Sequence, residues 1–106
     1  MTEALTNCKI TVIKKSLNKD LIEKYLDDKN QNITACERME LGQEFLIQDL
    51  TKPPEGFCEW AWADIRHDIL NVASGGNSPG FKKQGTLISA CTDWSRPVYF
   101  LIEKIN

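Results

Sequence analysis

Hydrophobic and polar positions change their period several times along these 106 residues, and each change marks an element. From Cys8 to Lys15 apolar and polar residues alternate, with Cys8, Ile10 and Val12 on one face and Lys9 and Thr11 on the other, which predicts a strand. Asn18 is placed to cap a short helix over 19–28, where Leu21, Ile22, Tyr25 and Leu26 form one apolar stripe. After the polar connection Lys29-Asn30-Gln31-Asn32, Gly42 suits a turn and Phe45 to Gln48 a short second strand. Pro53 and Pro54 lack N–H donors, so they stop any ladder and hold the chain extended before Gly56. From Glu59 to Ala73 the period becomes helical, with Trp62, Ile65, Ile69 and Val72 on one face and Asp64, His67, Asp68 and Asn71 largely away from it. Gly75-Gly76 ends this helix, because glycine tolerates the left-handed conformation wanted just past the last turn. Beyond a loop over 77–85, Thr86 to Thr92 and Pro97 to Lys104 read as two strands joined through Asp93-Trp94-Ser95-Arg96. Val98, Phe100 and Ile102 share a face there, and Pro97 fits only the first position of its strand.

The predicted order is β-α-β-α-β-β. With no internal repeat, this implies an α+β fold, a single small domain over 1–106 with a four-stranded, mainly antiparallel sheet and two helices packed on it, preceded by a flexible tail over 1–7. Length and a 42% hydrophobic content agree, since a chain of this size buries roughly 60–65% of its unfolded surface. The formal charge of −2 comes from 13 basic and 15 acidic residues spread over both halves, which leaves no basic stripe for a phosphate backbone or an anionic lipid surface. Nucleic acid and membrane are therefore excluded as expected partners. Met1 to Asn7 shows neither a cationic n-region nor an apolar core, and no run approaches the ~18 apolar residues of a membrane span, so the expected location is cytoplasmic. In that reducing setting Cys8, Cys36, Cys58 and Cys91 are expected as free thiols, and the Asn32-Ile33-Thr34 glycosylation match is silent.

Chemistry concentrates in Pro53-Pro54-Glu55-Gly56-Phe57-Cys58-Glu59-Trp60-Ala61-Trp62, a rigid turn that delivers a thiol and two indoles to the start of a helix. Trp60 and Trp62 are about 200° apart on a helix, so only one can face the core. The plain expectation has Trp62 in the core and Trp60 packed back on the prolines; the alternative places an exposed indole on a ligand pocket or an interface. Cys58, at the positive end of the helix dipole, is the one candidate catalytic or redox residue, with Cys91, Cys36, Asp93 or Glu59 as partners brought by folding. Cys36, Cys58 and Cys91 are also candidate metal or iron–sulfur ligands. Their spacing contains no C-x-x-C knuckle, so such a site would need assembly by the tertiary fold. His67 lies nine positions beyond Cys58, about 13 Å along a helix, and is a poor fourth ligand. Arg96 is a planar fork suited to a carboxylate or phosphate, with Lys82 and Lys83 in the glycine loop as further anion donors; the plainer role for Asp93 is to cap the hairpin turn and pair with Arg96. Gly75 to Gly80 is no phosphate loop, because it follows a helix and lacks Gly-Lys-Ser/Thr.

The combined spacing Cys36-x-x-Met39-x-x-Gly42-Gln43-x-Phe45, Pro54-x-Gly56-Phe57-Cys58-x-Trp60-Ala61-Trp62, Gly75-Gly76 and Cys91-Thr92-Asp93-x-x-Arg96-Pro97-Val98 resembles a family of short, uncharacterised prokaryotic proteins without assigned activity, over about nine tenths of the chain. The resemblance implies a whole-domain relationship and no reaction; it singles out Cys36, Cys58, Cys91, Asp93 and Arg96 and leaves out Cys8 and His67. The expected function is a ligand- or protein-binding module with a site at Cys58, Trp60, Cys91, Asp93 and Arg96, taking a small molecule or a protein partner, with a homo-oligomer open. A thiol-dependent redox protein or enzyme using Cys58, and a metal or cluster carrier using Cys36, Cys58 and Cys91, are the competing expectations; no cofactor is assigned.

Overall fold

The structure, a computed structural model, describes residues 7–105. Most of the expected tail lies outside them, but Asn7 opens the first strand and pairs with Ile105. The elements are β1 (Asn7–Lys15), α1 (Lys19–Tyr25), a 3₁₀ turn at Asp28–Asn30, β2 (Glu44–Ile47), α2 (Glu59–Ala73), β3 (Thr86–Ala90) and β4 (Val98–Ile105). The strands form one antiparallel sheet in the order β2-β1-β4-β3. The α+β expectation is met, with four strands and two helices.

Cys8, Ile10 and Val12 from β1, Phe45 and Ile47 from β2, and Val98, Phe100 and Ile102 from β4 share the buried face. Against it packs the predicted stripe of α2, Trp62, Ile65, Ile69 and Val72, joined by Ala61 and Ala73. A side chain such as Phe100, wholly removed from water, contributes about 1.5–3 kcal/mol. The other face carries Lys9, held between Glu44 at 3.8 Å and Glu103 at 3.9 Å. Past Ser74, Gly75 turns to φ +91° and the N–H groups of Gly75 and Gly76 return to the carbonyls of Val72 and Asn71, a Schellman ending.

Several boundaries differ from expectation. The first helix stops at Tyr25, because Leu26 turns extended, and Asn18 does not cap it with its side chain. That side chain instead donates to the carbonyl of Trp94, while the Asn18 N–H reaches Ser95 O at 2.8 Å. Of the two helices among the described residues, α2 is the one that covers the sheet, while α1 follows the segment laid along the last hairpin loop and buries Ile22. The second strand is Glu44–Ile47, one residue earlier than expected. β3 ends at Ala90, since Cys91 already belongs to the loop, and β4 begins after Pro97.

The register of β1 shifts between Val12 and Lys14. Upstream, Val12 lies opposite Phe100; downstream, Lys14 faces Tyr99 and Lys15 faces Val98. The bulge therefore moves Lys15, and not Lys14, onto the buried-face side of the sheet.

Candidate functional site

Three segments meet at one end of the sheet. The first is the loop at Cys36 to Met39, tied down from β1 by Lys15, whose Nζ donates to the carbonyls of Cys36 at 2.7 Å and Met39 at 2.8 Å. Arg38 ties the same loop to the second segment, its two Nη groups donating to the carbonyls of Gly56 at 3.0 Å and Phe57 at 3.2 Å.

The second segment is the entry to α2. Gly56 at φ +84° makes the turn that the prolines prepare, and Phe57 then drops into the core. Its ring lies 4.8 Å from Phe45 and 5.4 Å from Phe100, and 6.2 Å from Trp62, centroid to centroid. Phe57 immediately precedes the N-cap and Trp62 occupies the fourth helical position, so the pair is a hydrophobic staple that fixes the angle at which the chain enters the helix. Cys58 is the N-cap by its backbone, its carbonyl accepting from Trp62 N–H at 2.9 Å, and its sulfur makes no capping bond.

The third segment is the hairpin loop. Cys91 and Val98 close it: Cys91 N–H donates to Val98 O at 3.1 Å, and Val98 N–H donates to Cys91 Sγ at 3.4 Å. Asp93 turns the loop by accepting from Ser95 N–H at 3.1 Å and Ser95 Oγ at 2.7 Å, and Arg96 Nε approaches its other oxygen at 3.4 Å. Burial alone would raise the Asp93 pKa, but the bonds from Ser95 and Arg96 outweigh it and hold the carboxyl below its usual value. The expected Asp93 turn and Arg96 pairing are both present.

Between these segments opens a cleft of about 290 Å³. All five expected binding residues, Cys58, Trp60, Cys91, Asp93 and Arg96, line it, together with Cys36. Met39, Ala61, Val98 and Phe100 supply an apolar floor. Trp62 is buried at 8% exposure and Trp60 is 64% exposed, as the 200° separation requires. Trp60 does not fold back onto the prolines. Its Nε1 donates to Thr92 Oγ1 at 2.8 Å, and Asp64 Oδ2 accepts from Thr92 N–H at 2.7 Å and from its hydroxyl at 3.0 Å. An indole so exposed is thus held at the hairpin by a fixed chain of bonds.

Cys36, Cys58 and Cys91 are the candidate metal ligands. The three thiols share the cleft wall, yet among the described residues no group of three or more His, Cys, Asp or Glu side chains is arranged to hold a metal ion. They arrive from a loop, a helix cap and a hairpin with separate tasks, the Cys91 sulfur being turned to the Val98 amide. Cys8 lies apart in the core, where burial pushes its thiol up. His67 is exposed beside Asp68, and Lys83 pairs with Glu103, so neither joins the cleft. Lys15, Arg38 and Thr92 are the residues that sequence reasoning missed. The doublet Lys14-Lys15, which breaks the strand alternation, was the available signal for a bulge.

No family model, curated protein or solved structure matches the chain. Fold and site together define an α+β domain with a thiol-lined cleft at the junction of its long helix and last hairpin. No helix among the described residues is long and apolar enough to cross a membrane.

Proposed function

We propose that this protein is a binding module for a small molecule, seated in the cleft between the start of α2 and the β3–β4 loop. The observation that carries the reading is the gathering of Cys58, Trp60, Cys91, Asp93 and Arg96, remote in sequence, around one concavity with an apolar floor. Convergent polar groups over an apolar base are the usual make-up of a ligand site, and about 290 Å³ lies at the small end of the range for such pockets. The walls are held before any ligand arrives, by Lys15 and Arg38 on one side and the Trp60–Thr92–Asp64 chain on another, so little ordering cost falls on binding. A fragment screen by thermal shift tests this: hits that raise the melting temperature of the intact chain should lose their effect when Ala61 is enlarged to fill the floor, A61L, and hits indifferent to that change would refute the site.

A second reading, a thiol-dependent redox protein or enzyme acting through Cys58, is favoured by one observation, that the Cys58 sulfur makes no capping bond and borders the same cleft as Cys36 and Cys91. Alkylation of the intact protein separates the two. A redox Cys58 labels much faster than Cys36 and Cys91 at neutral pH, whereas a binding cleft labels all three at similar rates.

A further inference from the structure

The Nε of Arg96 leans on Asp93, and among the described residues Nη1 and Nη2 have no protein acceptor. Arg96 lines the cleft, so one edge of a planar two-donor fork is offered at its wall. Arg38 brings a second positive charge, and one N–H of each of its Nη groups is given to the carbonyls of Gly56 and Phe57. Among the lining side chains, two guanidinium charges against the single carboxylate of Asp93 leave one net positive charge. Below the charges lie Met39, Ala61 and Phe100, and beside them the Trp60 indole, pinned through its nitrogen. We propose that the cleft takes a small monocarboxylate with a flat apolar body, its carboxylate on the free edge of Arg96 and its body on the apolar floor beside Trp60; this rests on the binding role proposed above. A monoanion matches the one surplus charge of the lining. A dianion such as a phosphate monoester exceeds that surplus by one charge and sets it beside the Asp93 carboxylate.

Calorimetric titration of the intact chain with phenylacetate, its neutral amide phenylacetamide, and phenyl phosphate tests the assignment. Phenylacetate should bind about tenfold more tightly than phenylacetamide, the size expected when hydrogen bonds to a charged fork are exchanged for neutral ones, and more tightly than phenyl phosphate. R96Q should abolish the preference for the acid, bringing phenylacetate and phenylacetamide to the same affinity, and D93N should tighten phenylacetate. Should R96Q lose its native circular dichroism, R96K keeps the charge without the planar fork and should still weaken phenylacetate relative to the amide. Equal affinity for acid and amide, or tighter binding of phenyl phosphate, overturns the monocarboxylate and leaves a binding cleft standing. Failure of all three probes to bind overturns the proposal as well, and only a fragment screen without cleft hits takes the binding reading down with it.

Discussion

Lys14 and Lys15 are neighbours with the same side chain, yet the bulge in β1 assigns them opposite fates, and the pair of variants K14M and K15M measures what that bulge is worth. Methionine keeps much of the aliphatic stem and removes the ammonium. At Lys15 the loss is two charged hydrogen bonds, to the carbonyls of Cys36 and Met39. Hydrogen bonds to charged groups contribute about 1.5–3 kcal/mol each, and the freed loop carbonyls recover part of this from water, so K15M should cost roughly 2–4 kcal/mol. At about 4–8 °C per kcal/mol for a domain of this size, the melting temperature should fall by roughly 8–32 °C. At Lys14 the loss is a single exposed contact over the Tyr99 ring, 5.7 Å to its centroid, worth about 0.5–1 kcal/mol. Urea titrations monitored by circular dichroism give both numbers, and amide exchange shows where the change is felt: K15M should speed exchange in the loop at 36–39 before it affects β4. A K14M cost equal to or larger than that of K15M would refute the register shift and, with it, the account of how the cleft wall is held.

Three further outcomes follow from the same geometry. F57A, which empties a buried site between Phe45, Phe100 and Trp62, should cost about 3–5 kcal/mol in urea unfolding, and a loss under ~1 kcal/mol would contradict the staple as the organiser of the helix entry. Under native conditions iodoacetamide should modify Cys36, Cys58 and Cys91 and spare Cys8 until the chain unfolds; intact mass and peptide mapping read this, and early labelling of Cys8 would count against the core assignment. Because Asp93 has a lowered pKa in the folded state, its stabilising effect is present above the unfolded carboxylate value of about 3.9 and is lost as pH falls through the lower folded value. The stability gap between wild type and D93N should therefore be open at pH 7 and close only in strong acid, and a gap independent of pH would remove the Ser95 and Arg96 bonds from the explanation.

Elements whose signals are local and periodic were legible from the residues. The stripe Trp62, Ile65, Ile69 and Val72, with Gly75 beyond it, placed α2 at its observed bounds, and alternation placed the faces of β1 and β4. The failures come where a distant segment outbids a local preference. Asn18 has the chemistry of a helix cap, but the hairpin loop claims its side chain at a separation of 76 residues. Trp60 could satisfy its indole nitrogen locally, yet Thr92 takes it from 32 residues away. Lys15 was not legible as a clamp because the Lys14-Lys15 doublet signals at most a bulge, and which of the two lysines it turns to the buried face follows from pairing with β4. The candidate residues themselves were nameable in advance from their types; that Arg38 and Met39 complete the cleft was not, since a loop with no period carries no sign of where it will lie.

Backbone amide mapping during a phenylacetate titration bears most directly on the claim that one cleft binds a small molecule. The account predicts that shifts move together in three stretches, 36–39, 58–61 and 91–96, with the Trp60 indole N–H following the same isotherm. Shifts centred instead on the second concavity, lined by Leu46, Asp49, Lys52 and Pro54, or scattered over the open face of the sheet, would contradict it.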